Sequence, residues 1–390
     1  MNPISSIEHP ASGIRYPVSG GLRIGLDAKR AFNNGTGLGN YSRFVINGLL
    51  QNFPENEYYL FTPNIKSEYD NFYPSTDNVK LITPDSFLGK TFSSFWRTYA
   101  IADMCNALKL DVFHGLSNEL PVGIDAFKGK KIVTIHDLIF LRYPNYYGNI
   151  DRYIYTKKFK HACSQANTIL AASEQTKQDI IQYFGTAPDK IVVGYQNCDE
   201  RFSMAATAEQ KQTIQATYSL PEAFALCVGT IEQRKNQLTV LKAFNTLSHP
   251  TLKLVFIGKQ TDYTAQLTTY IAQYQLQDKV IFLQRIPAAD LPVIYQLSTM
   301  FLYASEFEGF GIPVLEGLRS GVPVIAANAS SLPEVGGNFA LYFEPNDVSG
   351  LLSCMQSVFT QQRNKDGLNQ HLQRFDTATL ISALMKVYEP

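Results

Sequence analysis

The chain lacks the features that would place it in several large functional classes. Its five cysteines (Cys105, Cys163, Cys198, Cys227, Cys354) are scattered over 390 residues with no C-x-x-C pair. A disulfide framework is therefore not expected, and the pattern suits reduced thiols of a cytoplasmic protein. Charge shows no excess of either sign, with 34 basic and 34 acidic residues, which argues against nucleic acid as a general partner. No apolar run approaches the ~20 residues of a membrane span. Residues 1–20 hold three prolines and no apolar signal core, and read as a loosely held extension. The six histidines do not pair at metal-ligand spacing, so no metal site is expected. There is no Gly-x-Ser-x-Gly elbow and no Walker loop.

What the chain does have is length and alternation. At 390 residues it exceeds what one core usually supports, so two domains are expected. From Leu22 short apolar strands alternate with helical segments: strands at 22–27, 58–61, 79–82, 111–114, 131–135, 167–171 and 191–195, and helices near 38–53, 92–108, 151–165 and 174–184. Residues 199–222 are polar and suit a linker. The pattern then restarts, with strands at 223–228, 252–257, 280–283, 300–303 and 322–326. Strands alternating with helices predict mostly parallel sheets covered on both faces. The fold class is therefore α/β, two Rossmann-like domains facing across a cleft, with ligands outside the carboxyl ends of the strands. The domains are expected at 21–198 and 199–370.

Four motifs fall at such strand ends. Ser305-Glu-Phe-Glu308-Gly309-Phe310-Gly311-Ile-Pro-Val-Leu-Glu316 lies between two apolar strands and reads as a glycine loop opening a helix. Its backbone N–H groups favour an anion, most simply a phosphate. Glu308 and Glu316 beside such a site suit hydroxyl groups instead. Gly229-Thr230-Ile-Glu232-Gln-Arg234-Lys235-Asn236 puts two cations where a helix begins, a conflict with the helix dipole unless an anion binds there too. Arg supplies a planar fork and Lys a point charge, enough for a diphosphate. Gly35-Thr-Gly37-Leu-Gly39 follows the first strand; its spacing departs from G-x-G-x-x-G, so it suits close backbone approach to a ligand better than a dinucleotide turn. His136-Asp137 ends a buried strand and points to hydrogen bonding in the cleft, with Asp137 orienting the ring or capping the next segment. His114, also at a strand end, is a second candidate.

Glu308-x7-Glu316 with its Gly-Phe-Gly-x-Pro resembles the donor-site signature of the retaining glycosyltransferases of family 4. His136-Asp-Leu, the glycine loop and the Arg234-Lys235 pair resemble further family motifs, over about Leu22 to Val348. Many relatives carry arginine directly after the glycine, where this chain has Thr230. The resemblance implies the GT-B arrangement, with a last helix (371–390) crossing back onto the first domain. It implies a hexosyltransferase using a nucleotide-diphosphate sugar as co-substrate, with GDP-mannose the best guess. The acceptor would be a hydroxyl of a glycan or lipid-linked glycan in surface-polysaccharide, including lipopolysaccharide, biosynthesis. Glu316 would take the ribose, Glu308 the transferred sugar, and Arg234 with Lys235 the diphosphate. Gly37, Gly39, Gly309, Phe310 and Gly311 would line the donor, and His136 would meet the reacting sugar. Ser330-Ser-Leu-Pro-Glu334-Val335 resembles a supporting loop near the donor. With no Asp-x-Asp, the metal clamp of the other major glycosyltransferase fold is missing, and no metal or other cofactor is expected. A sugar-nucleotide epimerase and a non-catalytic nucleotide-sugar binder are the alternatives.

Between Lys128 and Lys160, eight basic residues face two acidic ones and are interleaved with tyrosines. Phe92, Phe95 and Trp96 add aromatics nearby. This predicts an anionic membrane surface as a partner and a peripheral location on the inner face of the cell membrane.

Overall fold

Two parallel sheets organise the protein, described by a computed structural model over residues 21–73, 76–84, 93–361 and 365–389. The extension expected over 1–20, Phe92 and the side chain of Phe95 lie outside the described residues. The first sheet comprises β1 (Arg23–Asp27), β2 (Glu57–Phe61), β3 (Val79–Ile82), β4 (Val112–Gly115), β5 (Lys130–Ile135), β6 (Thr168–Ala171) and β7 (Ile191–Val193), in the order β3-β2-β1-β4-β5-β6-β7. The second comprises β8 (Phe224–Val228), β9 (Lys253–Ile257), β10 (Val280–Leu283), β11 (Met300–Tyr303), β12 (Val324–Ala327) and β13 (Ala340–Phe343), in the order β10-β9-β8-β11-β12-β13.

Successive strand residues point to opposite faces, so a strand apolar along its length must be covered twice. In β2, Tyr58 and Leu60 join one core cluster while Tyr59 and Phe61 join the other. In β5, Ile132 faces the first of these clusters and Val133 and Ile135 the second. The helices that cover the sheets and bear on the site are α1 (Gly37–Asn52), α2 (Asn149–Gln165), α3 (Glu174–Phe184), α4 (Gln237–Thr246), α5 (Ile312–Arg319) and α6 (Thr377–Tyr388). Helix α6, at the end of the chain, returns to the first domain and buries Ile381, Leu384, Met385 and Tyr388 in its core. Each such side chain contributes about 2 kcal/mol when fully buried.

Three local expectations are corrected. The polar stretch 199–222 is not a plain linker: Ala208–Thr217 is helical, started by a capping box between Thr207 and Gln210, and Phe202 is buried. The helix expected over 92–108 is two helices, Ser93–Tyr99 and Ile101–Ala107. Strand β13 and the helix Val348–Thr360 were not anticipated, because Ala-Leu-Tyr-Phe is short and ends against polar residues.

In each sheet the strand order reverses beside the first strand, between β1 and β4 and between β8 and β11. Crevices open at such switch points. The glycine loop follows β1, and His136 follows β5. The Arg234-Lys235 segment follows β8, and Ser305–Gly311 follows β11. The His136, Arg234-Lys235 and Ser305–Gly311 segments meet at the domain junction.

Candidate functional site

The second domain contributes a compact charge cluster. After β8 the chain makes a single 3-10 turn, Gln233–Lys235, and Asn236 adopts a left-handed conformation (φ 53°) before α4 begins. The two cations thus stand just before the helix, at the positive end of its dipole, and a carboxylate offsets the expected conflict. Their side chains turn toward Glu308. Arg234 Nη1 donates to Glu308 Oε1 at 2.8 Å and to the Phe307 carbonyl at 2.7 Å. Lys235 Nζ donates to the same Oε1 at 2.5 Å, as do Tyr303 Oη at 2.9 Å and Ser305 Oγ at 2.6 Å. Arg234 also pairs with Glu232 at 2.6 Å.

Burial alone would raise the Glu308 pKa, but Lys235 and Arg234 overcome it and hold the carboxyl at about 2. Every hydrogen bond to this carboxylate among the described residues lands on Oε1. Glu308 was expected to face sugar hydroxyls. Here it pairs with both cations through Oε1, and Oε2 has no hydrogen bond among the described residues. Glu316, on α5, is different. Burial raises it to about 7, only partly opposed by the Tyr295 hydroxyl, which donates to Oε2 at 2.8 Å.

The loop between the glutamates is shaped by small residues. Gly311 (φ 108°) adopts a backbone conformation that side chains disfavour. Ser331 Oγ donates to the carbonyls of Glu308 and Phe310 (3.0 and 2.6 Å), and Ser330 Oγ accepts from the Glu308 amide at 2.9 Å. This is the supporting part played by the 330–335 loop. The amides of Gly309, Phe310, Gly311 and Ile312 have no acceptor among the described residues. Phe310, expected beside the donor, buries its ring against Tyr195 and Phe375 (centroids 6.0 and 5.7 Å). Only its backbone remains for a ligand.

The first domain presents less free chemistry. His136 Nε2–H donates to the Leu116 carbonyl at 2.9 Å, and Gln196 Nε2–H donates to Nδ1 at 3.0 Å. Both ring nitrogens are engaged, and Tyr41 packs edge-on at 4.7 Å. Burial lowers the ring pKa to about 4, so His136 is neutral near pH 7. The expected donation to a sugar hydroxyl would require one of these bonds to break. His114 is a core residue, held by Tyr388 Oη at 2.6 Å and Thr134 Oγ1 at 2.8 Å. Gly39 lies against the Asn34 carbonyl, where a methyl group would overlap, whereas Gly37 faces open space. Asn34 Oδ1 accepts from the amides of Thr36 and Gly39, leaving those of Gly37 and Leu38 without an acceptor among the described residues.

The two halves touch at Gly309. Its carbonyl accepts from Ser173 Oγ at 2.6 Å and Thr176 Oγ1 at 3.3 Å. Its Cα lies so close to the His136 carbonyl that any side chain would overlap it. Tyr146 donates to Glu306 Oε2 at 2.7 Å, and the first amide of α3 donates to both oxygens of Glu334 at 2.9 and 3.1 Å. On one side of Gly309 an 80 Å³ cavity is lined by Asp137, Tyr147, Arg234 and Glu308. Burial raises the Asp137 carboxyl, whose Oδ1 accepts from the Ile139 amide at 3.1 Å. A 510 Å³ cavity lies between α1, the 196–202 segment and Glu316. Sequence reasoning missed Tyr303, Gln196 and Glu306, whose roles arise only when separate strand ends meet. Among the described residues no three His, Cys, Asp or Glu side chains form a metal-binding group.

Two families match the chain in succession. The description "Glycosyltransferase Family 4" covers residues 37–196 and "Glycosyl transferases group 1" covers residues 210–374. The chain is 31% identical over 247 residues to O-antigen chain mannosyltransferase B of Escherichia coli, covering 62% of this chain and 63% of that protein. It is 30% identical over 272 residues to the serotype-specific mannosyltransferase WbdA of Escherichia coli, covering 67% of this chain but 33% of that protein. The matched stretch thus spans less than two thirds of either relative. Among solved structures, a glycosyltransferase from Rickettsia africae ESF-5 superposes with a TM-score of 0.74 at 17% identity, covering 95% of this chain and 98% of the other. Anabaena HepE in complex with UDP and glucose gives 0.72 at 16%, covering 94% and 99%.

Proposed function

This chain belongs to the family 4 glycosyltransferases, with the GT-B fold, and from that premise we propose that it transfers a hexose from a nucleotide-diphosphate sugar to a hydroxyl of a growing polysaccharide. The observation that carries the reading is the meeting of Arg234 and Lys235 on one oxygen of Glu308, beside the amides of Gly309–Ile312, which have no acceptor among the described residues. A diphosphate entering here replaces Glu308 as the partner of the cations and frees that carboxylate to receive a hydroxyl of the transferred sugar. Arg234, Lys235 and the amides then stabilise the charge that develops on the leaving phosphate, with no metal required. Glu316 takes the ribose hydroxyls. Transfer retains the anomeric configuration, the departing phosphate helps deprotonate the acceptor, and no side chain acts as nucleophile. His136 and Gln196 brace the first-domain wall of the site.

The names of the relatives support mannose as the sugar and an O-antigen-type glycan as the acceptor, and GDP-mannose is the donor we propose. Incubation with UDP-, GDP- and dTDP-sugars, followed by thermal shift and product analysis, tests this. The expected result is a melting rise with one nucleotide and a product bearing the sugar in its original configuration. Epimerised nucleotide sugar without acceptor consumption would indicate the epimerase, and binding without any turnover would indicate a binder.

Peripheral membrane association belongs to the same proposal. No described helix is long and apolar enough to cross a membrane. Helix α2 exposes Ile150 (76%) and Tyr153 (65%) beside Arg152 and Lys157, an apolar strip flanked by cations. Co-sedimentation with liposomes should rise with anionic lipid content and fall with salt.

A further inference from the structure

A second cavity, separate from the Glu308 cluster, lies wholly within the first domain. Its volume is 220 Å³, and it is bounded by the end of β1, the helix Ser93–Tyr99, the 119–122 loop and α2. Four of its five charged side chains form a chain of ion pairs in alternating sign. Asp27 is paired with Arg97 Nη2 at 2.5 Å, Arg97 Nη1 with Glu119 at 2.6 Å, and Glu119 Oε1 with Lys158 at 3.2 Å. Burial would lower Arg97, but Asp27 and Glu119 hold it above its ordinary value. Leu120, Pro121 and Val122 make an apolar wall.

We propose that this cavity is a subsite for a neutral sugar unit of the acceptor glycan, resting on the glycosyltransferase reading above. A pyranose presents hydroxyls around its rim and C–H groups on its faces. The cavity matches both, with carboxylates and a guanidinium for the rim and the 120–122 wall for a face. Asp27 Oδ1 makes only long contacts, at 3.3 Å, to Arg97 Nε and the Lys29 amide, and so retains capacity to accept. His161 Nε2–H donates to the Pro121 carbonyl at 3.3 Å, and its Nδ1 has no hydrogen-bond partner among the described residues. The cavity lies at the carboxyl ends of β1 and β4, the sheet edge on which His136 also lies, so a glycan held here extends along the edge that bounds the reaction site. Lys157, Lys158 and His161 of α2 line it, while Ile150 and Tyr153 of the same helix face outward. One helix thereby joins the sugar subsite to the surface proposed to meet lipid.

Val122 is 44% exposed at the cavity mouth, so a larger side chain there blocks entry without disturbing the core. The test is saturation-transfer NMR with mannotriose on the wild type, Val122→Trp and Val122→Ala, with thermal shift by nucleotide sugars run on the same samples. The wild type and Val122→Ala are expected to show saturation transfer, and Val122→Trp to lose at least ~90% of it with the nucleotide shift unchanged. Equal transfer in all three proteins, or none in the wild type, overturns the subsite. The nucleotide shift reports separately on the glycosyltransferase reading: its absence from every sample would refute that reading, whatever the trisaccharide does.

Discussion

The two domains share an architecture and differ in how they use their strand ends. In the second domain the ends of β8 and β11 bring two cations and a carboxylate together, with one carboxylate oxygen and four amides unbonded among the described residues. In the first domain the two histidines at strand ends are occupied. His136 and His114 each have both ring nitrogens hydrogen-bonded within the protein. A polar residue at a strand end can thus be either a ligand contact or a brace, and only the count of its satisfied groups separates the two.

The sharpest way to break this comparison is to remove one member of the charge cluster. Lys235→Ala should lower kcat/KM for transfer at least ~100-fold, about 2.7 kcal/mol of transition-state stabilisation. Steady-state kinetics at saturating acceptor measure it. Glu308→Gln should lose transfer by a similar factor yet bind nucleoside diphosphate several-fold more tightly, since the carboxylate no longer competes for Lys235 and Arg234. Calorimetric titration checks that opposite movement, and weaker diphosphate binding in Glu308→Gln would contradict the displacement step.

A second test acts where the halves meet. Gly309→Ala places a methyl group against the His136 carbonyl, and backbone must shift to accommodate it. Transfer should fall about 10-fold, with roughly 1–3 kcal/mol of stability lost, and nucleotide affinity should fall less, because Arg234 and Lys235 stay in place while the Gly309 amide of the diphosphate site shifts. Equal losses of affinity and turnover would mean the domains do not act as separate units.

The pH dependence sharpens the role of Glu316. Its carboxyl is raised to about 7 in the free protein. Ribose hydroxyls donate to the ionised form, so binding lowers the pKa and releases a proton. Affinity should therefore rise as pH climbs toward 7 and level off above it, by up to ~10-fold for a one-unit shift. Glu316→Gln should flatten this profile, and an unchanged slope in that variant would remove Glu316 from nucleotide binding. The smallest effect belongs to the first-domain brace. Tyr388→Phe deletes a buried hydrogen bond to His114 and should cost about 1 kcal/mol of stability in denaturant unfolding, leaving nucleotide affinity alone.

The strand–helix alternation made most of the fold legible, because apolar runs such as Leu254-Val-Phe-Ile257 have no other way to be buried. Strand β13 escaped notice because a four-residue run with half-exposed side chains carries little signal. At the site, Glu308, Arg234 and Lys235 were legible as a group since their motifs follow strands of one predicted sheet and so arrive at the same edge. Their direct pairing was not, because it depends on the side chains folding back across the switch point. Gln196 carried no signal at all. It is an ordinary amide in a polar stretch until β5 and the 196–202 segment come together around His136.

The most direct test of the central claim is calorimetric titration of GDP, with UDP and dTDP alongside, into the wild type and Lys235→Ala. The account predicts that one diphosphate binds the wild type and that its affinity falls at least ~10-fold in the variant. Equal affinity for both proteins would contradict a diphosphate site built on the second domain's cations.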